Sequence, residues 1–302
     1  MWLDIQIFGF RALWSPYFIT FLLLVALLYF LITGPYRVKF GHHDKPTAKQ
    51  QIAFYFSLIL LYVAKGSPVD LLSHILFTAH MVQMAIFLLL VPILLIKGIP
   101  KWMWEKVINL PVVRVFFKIF TKPLIPLITF NLLFSLYHIP SVFDFSKSSR
   151  PVHFAISLVL LAAAFMMWWV VMSPIKEHNK LKPLLKMLYM AANSALITPA
   201  CVLIIFASAP VFQAYSSEGA WLQALSLCVP VDVLQGLSGS LSGADMFSPM
   251  TTVEDQQLGG IVMKILTEIV YGSVIGSVFF RWFKPAREHQ IDPLPESTSH
   301  SL

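Results

Sequence analysis

The chain is short of charge. Only 12% of its 302 residues are Asp, Glu, Lys or Arg, whereas soluble globular domains carry roughly a quarter. Hydrophobic residues make up 57% of the sequence, and they occur in long blocks rather than as single stripes along amphipathic helices. Helices that are apolar on every side are buried or span a membrane. The composition therefore excludes an ordinary soluble domain and indicates a membrane protein.

Several kinds of chemistry lack their sequence signals. Cys201 and Cys228 lie far apart and form no Cys-x-x-Cys motif, which leaves thiolate metal binding and redox chemistry without a scaffold. The sequence contains no His-Glu-x-x-His motif, no Gly-x-Ser-x-Gly motif and no glycine-rich phosphate loop. We therefore expect a protein that is not an enzyme. We also expect no nucleic-acid partner. The net charge is +7, but the basic residues are distributed along the chain as in a membrane protein with alternating loops.

Seven apolar runs come close to the ~20 residues that cross a hydrocarbon core about 30 Å thick. The second and fourth runs are short. Together the seven runs predict an all-α, polytopic membrane helix bundle of about seven transmembrane helices, forming one domain over 1–285. The Pro- and Ser-rich tail, 286–302, is expected to be disordered and cytoplasmic. The runs are 15–33, 51–64, 75–96, 123–137, 154–172, 184–207 and 261–283.

The basic residues alternate between successive connections. The first, third and fifth connections and the C-terminal tail are rich in Lys and Arg, whereas none occurs between Lys186 and Lys264. The positive-inside rule then predicts that the N-terminus is outside and the C-terminus inside. The long sixth connection, 208–259, would lie outside. Its apolar stretch 221–237 is too short to span, so it would lie in the interface or dip back under protein cover.

This topology divides the nine histidines. Four map to the outer side, inside or at the rim of apolar spans, where ionisable groups are costly and usually functional. In the predicted spans His74 and His80 open the third, His138 ends the fourth and His153 begins the fifth. The other five are expected to be solvated polar residues on the inner side or in the tail: His42, His43, His178, His289 and His300.

The run His80-Met-Val-Gln-Met84 gives the most specific spacing. His80 and Met84 are four residues apart and share one helix face. In an unbroken helix His80 would lie ~9 Å deeper than His74. Imidazole beside thioether suits Cu(I). The alternative is structural, with a hydrogen bond from His80 between helices and a packing role for Met84.

Polar residues at the start of the seventh span offer support for such a site. Asp255 and Gln256 could orient a metal-binding histidine from a second shell. Equally, Glu254 and Asp255 could simply complement the helix N-terminus. Lys264 and Glu268, four apart in the same span, are expected to neutralise each other.

Four segments resemble the cytochrome c oxidase assembly factor CtaG family of Gram-positive bacteria, the caa-type oxidase family. The resemblance implies a multi-pass protein of the bacterial plasma membrane, needed to form active caa-type oxidase through copper insertion. Members often carry His-Met-x-Gln-His, and Met84 at the second histidine position weakens the case for two imidazoles on that helix. The segments, in chain order, are His80-Met-Val-Gln-Met84, Tyr137-His138-Ile-Pro140, Trp168-Trp169 and Asp255-Gln-Gln-Leu-Gly-Gly260.

The leading hypothesis is therefore an accessory factor that binds copper transiently at the outer face. Its expected partners are a cytochrome c oxidase subunit, an extracytoplasmic copper chaperone and the lipid bilayer. The alternatives are a haem-handling protein, a metal-free chaperone for an apo-oxidase subunit, and a transporter with Lys264, Glu268 and Asn131 in its interior. The transporter is disfavoured because no matching pair of broken helices appears in two halves. The candidate copper ligands are His74, His80, Met84, His138 and His153.

Overall fold

The computed structural model describes residues 5–41, 44–237, 243 and 246–288, and every regular element in these residues is helical. Five helices are long and apolar enough to cross a membrane, and the number rises to seven if each of two bent helix pairs forms one span. The predicted all-α polytopic bundle is confirmed. The helices are α1 (Gly9–Trp14), α2 (Pro16–Thr33), α3 (Ala48–Gly66), α4 (Pro68–Ile75), α5 (Phe77–Gly98), α6 (Lys101–Ile108), α7 (Pro111–Phe120), α8 (Leu124–Tyr137), α9 (Pro140–Ser146), α10 (Arg150–Met172), α11 (Pro183–Ile205), α12 (Gln213–Ser216), α13 (Glu218–Leu225), α14 (Val231–Leu237) and α15 (Thr252–Glu288).

The two bent pairs correspond to the second and fourth apolar runs. Helices α3 and α4 meet at 41°, and α7 and α8 meet at 88°. Pro68 begins α4, and Ser67 before it is extended, with φ −110° and ψ 176°. A proline lacks the N–H that would continue the preceding helix, and it disfavours the helical region for the residue before it. The first bend therefore has a visible cause in the sequence.

A second break lies at Leu76, which is extended with φ −123° and ψ 134°. It separates α4 from α5, so His74 and His80 lie on different helices. The expectation that one unbroken helix carries both residues is wrong. No Gly or Pro lies at this point of the sequence, and the contacts that hold the break come from the distant helix α15.

Helix α5 contains a π-helical segment, Ile86–Leu90, which ends two residues before Pro92. Proline cannot donate to the carbonyl four residues earlier, which here belongs to Leu88. The indole Nε1–H of Trp168 donates to that carbonyl oxygen at 3.0 Å. Trp168 of α10 thus provides a hydrogen bond for a carbonyl that Pro92 cannot pair. Its role goes beyond packing.

The core of the bundle lies between α5, α8, α10, α11 and α15. Its largest fully buried side chains include Trp168, Trp169, Phe130 and Tyr271. Helix α2 packs at the periphery, and leucines along it such as Leu23 and Leu28 are exposed. An apolar surface of this extent fits contact with lipid tails rather than water.

The bundle has two chemically different ends. At the end that we call the histidine end, α12, α13 and α14 form a lid. Trp221 and Leu225 of this lid are buried against Leu71 and Ile75 of α4. The predicted apolar stretch 221–237 therefore forms parts of two short helices rather than a span, with one side packed on α4 and residues such as Val231 exposed.

The opposite end, which we call the basic end, carries the Lys- and Arg-rich connections, and the positive-inside rule predicts that it faces the cytoplasm. Helix α15 extends to Glu288. Most of the predicted tail, from 289 onward, lies outside the described residues.

Candidate functional site

The N-terminus of α5 is capped by a side chain from another span. The backbone N–H groups of Phe77 and Thr78 donate to the two carboxylate oxygens of Asp255, at 2.6 and 3.1 Å. The Thr78 hydroxyl donates to the Asp255 backbone carbonyl at 2.8 Å. The first N–H groups of a helix lack internal partners, so Asp255 of α15 fixes where α5 begins and how deep His80 lies.

His80 lies one turn inside α5 and is only 1% exposed. The rings of Phe77, Tyr137 and Phe143 surround it, with centroids 5.9, 5.9 and 5.1 Å from its own. Neither ring nitrogen has a hydrogen-bond partner in the described part of the protein. Buried polar groups are normally paired, and each exception calls for an explanation.

His138 faces His80 from the end of α8, with the ring centroids 6.3 Å apart. Its Nδ1 lies 2.8 Å from the carbonyl oxygen of Phe134. A carbonyl only accepts, so Nδ1 carries the proton and donates, and Nε2 is left with a free lone pair. That Nε2 is buried without a partner in the described residues. Such an orientation is the one expected of a metal-binding imidazole.

The separation of the two rings is compatible with one shared ion. A metal–imidazole bond is about 2 Å long, so two rings on one ion have centroids at most about 6–7 Å apart. The distance between His80 and His138 falls within this limit. Within the described residues no group of three or more His, Cys, Asp or Glu side chains is placed to hold a metal. The structure therefore offers a pair of imidazoles rather than a closed cage.

His74 and His153 form a second pair, with ring centroids 5.5 Å apart. The Nζ of Lys147 lies 3.1 Å from Nδ1 of His74, and Lys147 is itself only 2% exposed. Burial, and to a smaller extent the nearby Lys65, lowers the pKa of Lys147 from 10.5 to about 7, against the attraction of Asp70. A protonated Lys147 would repel a metal ion at His74.

The five predicted ligands thus fall into three places. His80 and His138 face each other, His74 and His153 lie with Lys147, and Met84 is buried in the main core one turn beyond His80. Sequence analysis did not single out Lys147. It also missed Phe143, whose ring contacts His80, although Phe143 closely follows the Tyr137-His138-Ile-Pro140 segment.

Neither Asp255 nor Gln256, which were predicted to orient a histidine, hydrogen-bonds one within the described residues. Asp255 caps α5, as described above, and the Gln256 side-chain oxygen accepts from the backbone N–H of Val211 at 2.9 Å. Glu254 forms a reciprocal cap with Thr251, which fits the alternative prediction that acidic residues complement this helix start. Asp255 and Gln256 support the site indirectly, through helix position and loop position.

Two further contacts close the lid over the histidine end. The Arg150 guanidinium donates to the backbone carbonyls of Ser226 and Val229. The Tyr215 hydroxyl donates to the carbonyl oxygen of Ser73, next to His74, at 2.7 Å. The histidines are therefore shielded from the aqueous phase by a hydrogen-bonded layer.

Of the histidines expected to be solvated, only His178 lies in the described residues. It is half-buried, and the Trp169 indole N–H donates to its Nδ1 at 3.1 Å. His178 is therefore only partly solvated, because the α10–α11 connection folds back onto Trp169 at the basic end. His42, His43, His289 and His300 lie outside the described residues.

The polar interior considered for a transporter forms two separate groups. Asn131 donates to Asn193 at 2.9 Å, linking α8 to α11. Lys264 pairs with Glu268 on α15 and donates to Thr198 of α11 at 2.7 Å. The expected pairing of Lys264 with Glu268 is confirmed, and these contacts join helices.

The fold and this site define a class: an all-α, multi-pass membrane protein with paired, mostly buried histidines at one end of the bundle. The family model described as cytochrome c oxidase caa3 assembly factor (Caa3_CtaG) matches residues 27–285. The chain belongs to this family of oxidase assembly factors. No curated protein and no solved structure matches it.

Proposed function

We propose that this protein acts on a subunit of the caa3-type cytochrome c oxidase in the bacterial plasma membrane and supplies it with Cu(I). Membership of an assembly-factor family supports the oxidase as the target and a role without catalysis. The copper part of the proposal rests on one observation: two buried imidazoles, His80 and His138, lie with ring centroids 6.3 Å apart, and both His80 nitrogens and the His138 Nε2 have no hydrogen-bond partner in the described residues.

The chemistry of the pair favours Cu(I) as cargo. Neutral imidazoles bring no negative charge into an apolar region, so the cost of desolvation stays low. Cu(I) prefers soft or borderline ligands and accepts low coordination numbers, which a pair can satisfy. Met84, four residues from His80 on the same helix, is the thioether that we assign as an additional ligand. A carrier with few ligands can also release its ion to a partner.

The same packing argues against the haem alternative. Two axial histidines need a flat macrocycle between them. Here the rings of Phe77, Tyr137 and Phe143 fill the space around His80. The second histidine pair is a weaker copper site, because Lys147 contacts His74.

The test is copper content per protein after loading the purified full-length chain with Cu(I), measured by elemental analysis beside a visible spectrum. His80→Ala and His138→Ala should each lose most of the bound copper while the protein still accumulates in the membrane. His178→Ala, at the basic end, is the matched control and should retain it. In cells, the first two variants should lower oxidase activity.

Three results would contradict the proposal. If His80→Ala holds as much copper as the parent, the site lies elsewhere. If the parent shows a haem absorption band and no copper, the haem alternative replaces the copper carrier. A parent that binds neither, but on which oxidase activity still depends, would point to a metal-free chaperone.

A further inference from the structure

A cavity of about 550 Å³ opens at the basic end between four spans, α5, α10, α11 and α15. Lys97 from the last turn of α5, Lys186 from the first turn of α11 and Arg281 near the end of α15 line it together. These residues are far apart in the sequence, so the fold, not a local charge run, brings them to one place. We call it the cationic cavity.

The charge of the cationic cavity is not balanced from within. None of the described residues that line it is Asp or Glu. Lys186 also lies near the N-terminus of α11, where the helix dipole already favours negative charge and opposes a cation. Three like charges around one cavity repel each other unless an anion lies between them. The arrangement is that of an anion site.

Most of the remaining wall is apolar. Val171, Val274 and Val278 line the cavity from α10 and α15, together with the exposed Trp282. The uncharged polar residues of the wall are Ser173, Asn179 and Ser277. Tryptophan is enriched where a membrane meets water, which places the cations at headgroup depth and the valines at the depth of acyl chains. A free inorganic anion would use only the cations, whereas a phospholipid would use both parts of the wall.

We propose that the cationic cavity binds an anionic phospholipid. Lys97, Lys186 and Arg281 contact its phosphodiester, and one acyl chain lies along the valines. Arginine and lysine are the common partners of phosphate oxygens, and basic pockets between spans on the cytoplasmic side bind such headgroups. The site is independent of the histidine pair and of copper.

The test titrates dioleoyl phosphatidylglycerol into the purified full-length protein in a non-ionic detergent and counts bound lipids by native mass spectrometry. The double variant Lys97→Gln/Lys186→Gln should lower the affinity for the most tightly bound lipid by about fivefold for each cation removed. Arg281→Gln should weaken it about fivefold on its own. Lys49→Gln/Lys101→Gln removes the same charge from the same end outside the cavity and should leave that lipid bound.

Further arms separate the lipid from other ligands. Dioleoyl phosphatidylcholine has the same phosphate and tails without net charge, and it should bind more weakly than phosphatidylglycerol. Inorganic phosphate should not displace the lipid at equal concentration. Equal binding of the two lipids, equal affinity of the cavity variant and its control, or displacement by inorganic phosphate would each overturn the proposal.

Discussion

The two ends of this bundle treat ionisable groups in opposite ways. At the histidine end, Lys147 and three of the four paired histidines (His74, His80 and His138) are buried, and several of the histidine nitrogens have no partner among the described residues. At the basic end, lysines stay at the surface or line open cavities, and Lys101 pairs with Glu105 at 3.2 Å with both side chains half-exposed.

This difference follows from the free-energy cost of removing charged and polar groups from water. A surface lysine keeps its hydration, and an exposed ion pair contributes little. A buried amine or imidazole loses its hydration, so a fold that keeps several of them together must gain something else from the arrangement. The comparison supports the proposed ion-binding role of the histidine end, whereas the charges of the basic end stay in contact with water or, in the cationic cavity, are assigned to a lipid headgroup.

The strongest test of this comparison removes the cap on α5. Asp255→Ala would leave the N–H groups of Phe77 and Thr78 without their acceptor, and two buried hydrogen bonds to a carboxylate are worth about 3 kcal/mol together. We expect that loss in the free energy of unfolding, with reduced copper binding because His80 is no longer held. Denaturant unfolding in detergent measures it.

Glu254→Ala is the control for Asp255→Ala. Glu254 caps its own helix at the surface, so its removal should have a much smaller effect and should not change copper binding. Equal effects of the two variants would show that the cap across helices has no special role. Asp255→Asn, which keeps one acceptor oxygen, should fall between the parent and Asp255→Ala.

The buried Lys147 predicts a pH dependence. Its folded pKa is about 7, below the ordinary 10.5, so the unfolded chain binds more protons between these values. Stability should therefore rise with pH across this window, by about 2 kcal/mol from pH 7 to pH 9. Lys147→Met should be more stable at pH 7 and should lose most of this rise, as measured by unfolding at several pH values.

Lys101→Met provides the comparison for Lys147→Met. Lys101 is half-exposed and paired with Glu105, so its removal should leave the slope of stability against pH unchanged in this range. If both variants keep the parent's slope, Lys147 is hydrated in solution and the histidine end is more open than the structure shows.

Sequence patterns predicted much of this architecture, because span length and hydrophobicity are local properties. The apolar runs coincide with helices, and the histidines on α5, α8 and α10 lie at the same end, as the topology required. The orientation of the bundle in the membrane stays a prediction.

The features that sequence reasoning missed depend on contacts between distant segments. The helix breaks at Leu76 although no Gly or Pro is present. The cause is Asp255, which lies 178 positions beyond Phe77 in the chain and caps the helix that begins at Phe77. Phe143 encloses His80 from a short helix that no periodicity indicated. The division of the histidines into two pairs, one of them beside Lys147, likewise required knowledge of how the spans pack.

The smallest expected effect separates stability from function. Tyr29 and Tyr215 are both buried, and each donates its hydroxyl to a distant backbone carbonyl, that of Gly98 at 2.9 Å and that of Ser73 at 2.7 Å. Tyr29 lies at the basic end and Tyr215 in the lid. Replacing either by Phe removes one hydrogen bond without a cavity, at a cost of about 1 kcal/mol. Tyr215→Phe should also loosen the lid beside His74 and speed the release of Cu(I) to a competing chelator, whereas Tyr29→Phe should not. Equal release rates from the two variants, at equal losses of stability, would show that the lid does not control access to the histidines.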